Sequence, residues 1–163
     1  YANGQTILGT TWWDFNGQEI FKKAVVGMYE ASIEAMSRAG LSKEQIDLVV
    51  PHQANLRIID YVAKKLKVSP EQVFINIHKY GNMSSATTPV ALVEAIEEGY
   101  VKPGKHILLP AFGAGLTYSA HIIRWGERVT PINTTDIDLP PCEKTGLEIV
   151  NDYMSRSRAG GPY

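Results

Sequence analysis

A single cysteine, Cys142, is all the thiol in this 163-residue chain, so no internal disulfide can staple it. That composition permits a reducing compartment, and the cytoplasm is the expected location. The longest apolar runs, such as Ile107–Pro110, fall far short of a membrane span. No charged-then-apolar leader opens the chain. It begins at Tyr1 rather than Met, and we expect a processed piece or a fragment of a longer protein. Neither sign of charge dominates: 16 Lys+Arg against 17 Asp+Glu give a net charge of −1. Binding of nucleic acid through bulk charge is thereby excluded. Internal repeats and low-complexity runs are missing. So is any Cys/His spacing for zinc or Asp/Asn ladder for calcium, and no metal site is expected. There is no Gly-x-Ser-x-Gly nucleophile elbow. Cys142 lies in Pro-Pro-Cys-Glu, beside an acid that disfavours the thiolate, and reads as a small strap residue. What remains is ordinary globular material, 44% hydrophobic and 20% charged, which excludes disorder. The length fits one domain or one half of a larger two-part fold.

The pattern alternates strands and helices. Thr10–Phe15 is β-branched and aromatic, and Asn16-Gly17 reads as the turn that ends it. A helix is predicted over Glu19–Ala39, with Gly40 at its C′ position. Two capping boxes follow, Ser42–Gln45 and Ser69–Gln72. Leu48–Pro51 and Val73–Ile77 read as strands, Asn55–Lys67 and Ala86–Glu98 as helices, and Lys79–Ser85 as a loop. His106–Ala111 and Leu116–Trp125 are strands joined by the short turn Phe112–Gly115, which permits only an antiparallel pair. The order β-α-β-α-β-α-β-β argues an α/β fold with a mixed five-stranded sheet. Residues 1–126 form this domain. Residues 127–163 form a proline-containing extension, with one amphipathic helix over Thr145–Ser155 and a frayed end from Arg156.

Functional groups in open α/β sheets gather at the carboxyl ends of strands. Of the four histidines, His52 stands at such an end, in Pro51-His52-Gln53-Ala54-Asn55. A satisfied core or capping histidine is the competing reading. Asn82 sits in Tyr80-Gly81-Asn82-Met83-Ser84-Ser85, where a turn residue in left-handed conformation is the ordinary expectation. Both loops lie at the same end of neighbouring βα units, so the two side chains can converge. An imidazole N–H and an amide NH₂ are both donors, and two donors aimed at one point make an oxyanion or enolate site. Phe112-Gly113-Ala114-Gly115 is a third loop at that edge. It is no dinucleotide fingerprint, because the third glycine and the following helix are missing. Arg57, Lys64, Lys65 and Lys67 form a basic face on the second helix, joined by Lys22 and Lys23 of the first. Usually such a face is merely solvated; otherwise it docks an acidic or phosphate-bearing partner.

Asp47–Arg57 (DLVVPHQANLR), His78–Ser85 (HKYGNMSS) and Leu108–Thr117 (LLPAFGAGLT) strongly resemble the C-terminal half of β-ketoacyl-acyl carrier protein synthase III, a family of thiolase-like fold. The resemblance covers Asn16 to Trp125. It implies a decarboxylating Claisen condensation between an acyl group taken from acyl-CoA and malonyl-acyl carrier protein, in fatty acid or related polyketide synthesis. His52 and Asn82 match the pair that hydrogen-bonds the malonyl thioester oxygen. Phe112 matches an aromatic residue at the junction of the two half-reactions. The Ala114 backbone N–H matches the acyl-transfer oxyanion position, where the family usually has glycine. Asn55 matches an amide near the histidine. Arg57, Lys64, Lys65 and Lys22 match basic positions associated with carrier-protein docking. The implied nucleophilic cysteine belongs to the family's N-terminal half, which this sequence does not contain, and Cys142 does not match it. The chain alone is therefore expected to be inactive. The resemblance further implies a homodimer of the full enzyme, with no cofactor beyond acyl-CoA and phosphopantetheine as substrates. The alternatives are a non-catalytic half-domain that binds carrier protein or a partner chain, and an acyltransferase with a non-malonyl acceptor.

Overall fold

The structure, a computed structural model, describes residues 16–133, 135–137, 141 and 143–158, with nothing of the side chains at 157 and 158. They divide into two compact units, one ending at Thr130 and one beginning at Pro131. The first unit runs α1 (Gly17–Ala39), β1 (Leu48–Val49), α2 (Leu56–Leu66), α3 (Ile77–Tyr80), α4 (Thr87–Glu97), β2 (His106–Gly113) and β3 (Thr117–Arg124). Three short 3₁₀ turns, Lys43–Gln45, Pro70–Gln72 and Ser84–Ala86, punctuate it. The second unit holds α5 (Gly146–Arg158). Thr145 opens α5 with a reciprocal cap: its N–H donates to Glu148 Oε2 at 2.7 Å, and Glu148 N–H reaches Thr145 Oγ1 at 3.3 Å. The helix runs on to Arg158, two residues past Arg156, where fraying was expected to begin.

The helix signals act as the sequence suggests, with one difference. Asn16-Gly17, expected as a turn ahead of the helix, belongs to the helix start itself. Asn16 Oδ1 accepts the Glu19 N–H at 3.2 Å, so Asn16 is the N-cap of α1. The strand expected at Thr10–Phe15 lies outside the described residues. Gly40 takes φ +65° and returns its N–H to Met36 and Ser37 carbonyls, closing α1. Both capping boxes form, each glutamine side chain reaching back to its serine N–H (2.8 Å at Ser42, 3.0 Å at Ser69).

The sheet has the order β1-β2-β3, parallel between β1 and β2 and antiparallel between β2 and β3. Beyond Val49 the hydrogen bonds continue, from Val50 N–H to Leu108 O at 2.8 Å and from His52 N–H to Pro110 O at 2.9 Å. Successive side chains of a strand face opposite ways. Val49 and Leu108 accordingly join Ala24, Val25 and Met28 of α1 and Ile58, Ile59 and Val62 of α2 in one core. Leu48, Val50 and Ile107 join Ala91 and Ala95 of α4 in another. The unit is thus a sheet sandwiched between helices. Gly27 allows α1 to lie tight on β3: a Cβ there would stand 2.2 Å from the Tyr118 ring.

The expectation of five strands is corrected: the sheet is three-stranded among the described residues. Val73–Ile77 makes a single parallel bridge, Val49 to Val73, and one hydrogen bond from Phe74 N–H to Val49 O at 2.9 Å. Two residues further on, Asn76 N–H and Ile77 N–H go to the Gln53 side chain at 3.1 and 3.2 Å. A side chain takes the place of a neighbouring strand, and the chain then turns into α3. At the other end β2 extends through Gly113, so Phe112 stands in the strand opposite Tyr118 instead of in the turn.

Candidate active site

His52 leaves the end of β1 with its backbone tied to Pro110 O, and the residue is 9% exposed. Nδ1 is hydrogen-bonded to Thr87 Oγ1, at the first residue of α4. The Phe112 ring meets the imidazole edge to face, with centroids 5.4 Å apart. The hydroxyl of Thr87 also lies 3.0 Å from Ser84 O, and Ser84 N–H donates to Asn82 Oδ1 at 2.9 Å. His52 and Asn82 are therefore joined through Thr87 and Ser84. Asn82 does make a turn, but the left-handed residue is Ser84, at φ +55°. The turn uses the amide oxygen, which leaves the exposed Asn82 NH₂ free to donate outward.

Gln53 fastens the two loops together. It is fully buried. Its Nε2 donates to Pro51 O at 2.9 Å and to Phe74 O at 3.2 Å, while its Oε1 takes the Asn76 and Ile77 N–H groups. All the hydrogen-bonding capacity of the amide is used, and it spans the end of β1 and the start of α3. Asn76 Nδ2 donates to Glu94 Oε2 at 2.9 Å, and the Tyr80 hydroxyl donates to Glu94 Oε1, so α3 is tied to α4 as well.

Asn55 and Ala114, two further expected site residues, both lie between regular elements. Asn55 Oδ1 accepts the Arg57 N–H at 2.9 Å and caps α2. Ala114 is exposed, in the turn between β2 and β3. The basic face is built on aromatic rings. Arg57 Cζ lies 5.5 Å from the Phe21 centroid, Lys64 Nζ 5.4 Å from that of Tyr61, and Lys65 Nζ 5.0 Å from that of Tyr29. Among the described residues these three cations and the exposed Lys22 form no ion pair, whereas Lys23 pairs with Glu19 at 2.9 Å. Cys142 lies outside the described residues. No group of three metal-ligating side chains stands together among the described residues.

Residues 36–125 match the family described as the 3-oxoacyl-[acyl-carrier-protein (ACP)] synthase III C terminal. The chain belongs to that family. It is 50% identical over 145 residues to β-ketoacyl-[acyl-carrier-protein] synthase III 2 of Vibrio cholerae, covering 89% of this chain and 40% of that one. The 3-oxoacyl-[acyl-carrier-protein] synthase III structure from Aquifex aeolicus shares 50% identity at a TM-score of 0.67, over 68% of this chain and 36% of that one. The Thermus thermophilus synthase III structure shares 46% identity at a TM-score of 0.70, over 76% and 40%. These synthase III relatives give the chain an α/β, thiolase-like fold. The chain spans 40% or less of the length of these synthase III proteins.

Sequence reasoning did not find Thr87 or the role of Gln53. Thr87 begins a helix, where threonine is unremarked, and its partner is 35 residues away. Gln53 stands in the Pro-His-Gln-Ala-Asn run, but its acceptors and donors are distant in sequence.

Burial holds the His52 imidazole below the ordinary histidine range. Unfolded, the ring takes a proton below about pH 6.5; folded, it resists that proton to lower pH. Across that interval the unfolded chain binds more protons, so stability rises with pH. The contribution is whole above about pH 6.5 and is lost as pH falls toward the lowered folded value. The melting temperature is expected to fall from about pH 7 to about pH 5.5, less steeply in His52→Gln. Parallel slopes for the two proteins would assign the effect elsewhere.

Proposed function

We propose that this chain is the C-terminal part of a condensing acyltransferase of the synthase III kind. The observation that carries the reading is the linked His52–Thr87–Ser84–Asn82 chain at the end of β1, within the segment that matches the family. An N-terminal half supplies the cysteine thiolate that takes the acyl group from acyl-CoA. Malonyl-acyl carrier protein then loses CO₂, and the electron pair of the broken C–C bond passes into the thioester as an enolate. The enolate carbon attacks the acyl thioester, and the cysteine thiolate leaves. Charge develops on the malonyl thioester oxygen, where fixed N–H donors from His52 and Asn82 stabilise it. The edge-on Phe112 ring walls the imidazole, and the Ala114 backbone N–H serves the acyl-transfer oxyanion. No bound cofactor enters, since acyl-CoA and the phosphopantetheine arm are substrates. The complete enzyme is read as a cytoplasmic homodimer; no described helix is long and apolar enough to cross a membrane.

CO₂ release from malonyl-acyl carrier protein by the complete protein tests the reading. Product formed from acyl-CoA without CO₂ release would point to a non-malonyl acceptor, and binding without turnover to a non-catalytic domain. The 163-residue chain alone is expected to show no turnover; activity that Cys142→Ser abolishes would reverse that.

The exposed cations suit the acidic helix beside a carrier protein's arm. Arg57 begins the row and can take a carboxylate in a bidentate grip. Arg57→Glu is expected to weaken carrier-protein binding roughly tenfold, mainly through association rate, and to flatten its salt dependence. Acylation by acyl-CoA should change little. Titration across a salt series checks it, and equal slopes would leave Arg57 a solvated residue.

A further inference from the structure

The reading above, on which this inference rests, needs His52 to offer an N–H to the thioester oxygen. Its buried ring is neutral near pH 7 and carries one proton. The nitrogen holding that proton is the donor, and the other is an acceptor. Nδ1 meets Thr87 Oγ1, and among the described residues it has no other partner. Thr87 is fully buried, and its hydroxyl has one proton with two places to put it: Ser84 O, at 3.0 Å, and His52 Nδ1. Ser84 O already receives the backbone N–H of Thr87. It keeps a partner if the hydroxyl turns away, whereas Nδ1 then gains its only one. A hydroxyl turned to Ser84 would instead require the imidazole proton on Nδ1, leaving a bare lone pair on Nε2 and no donor for the enolate.

We propose that Thr87 is a positioning residue whose hydroxyl donates to His52 Nδ1 and thereby fixes the imidazole proton on Nε2, across the ring. The Phe112 ring packs against the imidazole, with centroids 5.4 Å apart. Thr87 thus acts through His52 and touches no substrate.

The test uses the complete protein with ¹⁵N-labelled histidine, and His52→Ala assigns the resonances. A pyrrole-type shift on Nε2 and a pyridine-type shift on Nδ1 are expected. Thr87→Val keeps the β-branch and removes the hydroxyl. It should move the Nδ1 resonance and lower kcat for malonyl decarboxylation about tenfold with KM little changed, the worth of one hydrogen bond. Thr87→Ser should restore both. A proton on Nδ1 in the wild-type protein would overturn the proposal, as would a Thr87→Val spectrum identical to wild type. Should Thr87→Val fail to fold, the wild-type and Thr87→Ser spectra decide the same point. If His52→Ala leaves decarboxylation intact, the condensing-enzyme reading fails, while the spectra still judge where Thr87 puts the proton.

Discussion

His52→Ala in the complete protein is expected, on the proposed reaction, to slow malonyl-acyl carrier protein decarboxylation by about 10²–10³, which is about 3–4 kcal/mol of transition-state stabilisation. The ring is buried between Thr87 and Phe112, so an alanine there removes the imidazole donor, while the Thr87 hydroxyl keeps Ser84 O as its acceptor. Charge on the thioester oxygen grows as CO₂ leaves, and a donor already fixed in a poorly hydrated site stabilises it without reorganising. In the proposed reaction acylation by acyl-CoA is a separate half-reaction and should proceed near the wild-type rate, which distinguishes a lost donor from a misfolded protein. Asn82→Ala should lower the same step, with the two losses adding to less than their sum if both donors serve one oxygen. Stopped-flow acylation and CO₂ release, measured side by side, decide it. Unchanged decarboxylation in His52→Ala would remove the imidazole from the chemistry.

Gln53→Leu should destabilise the protein by about 4 kcal/mol. Leucine fills similar space, so the loss is polar. It strips partners from Pro51 O, Phe74 O, Asn76 N–H and Ile77 N–H. Each buried group left unpaired costs roughly 1–3 kcal/mol, with local relaxation recovering part of it. Such a loss is a large share of the roughly 5–15 kcal/mol that holds a typical domain folded. Gln53→Glu is expected to be destabilising as well near neutral pH, because a carboxylate oxygen would face two carbonyls. Urea denaturation of the complete protein measures both. A change under about 1 kcal/mol for Gln53→Leu would mean that water replaces the amide.

Much of this arrangement was readable because its causes are local. Asn and Ser side chains that cap helices, Gly40 at a left-handed terminus and alternating apolar runs act within a few residues of themselves. His52 follows the end of β1, where a topological rule about strand ends put it, whereas Asn82 follows the short helix α3 and not the strand that the same rule assumed. The reading failed where a distant side chain decides. Val73–Ile77 is apolar and β-branched enough to be a strand, yet Gln53, more than 20 residues earlier, claims its donors. Asn16-Gly17 has the composition of a turn, and only the helix after it makes Asn16 a cap. Thr87 has no local mark, because the group it serves is reached only after β1 and α4 are packed together.

The pleat of β1 carries one more implication, for insertions and deletions. Leu48 and Val50 serve the core beside α4, and Val49 serves the core beside α1 and α2. Removing one residue between Asp47 and His52 would exchange the side chains of the two cores and turn the imidazole away from Thr87. Removing two would restore the faces but withdraw the ring by about 7 Å along the strand. Length in this stretch is therefore held more tightly than residue identity. Val49→Ile crowds a buried core by one methylene but keeps every face of the strand in register, whereas no single-residue change of length does.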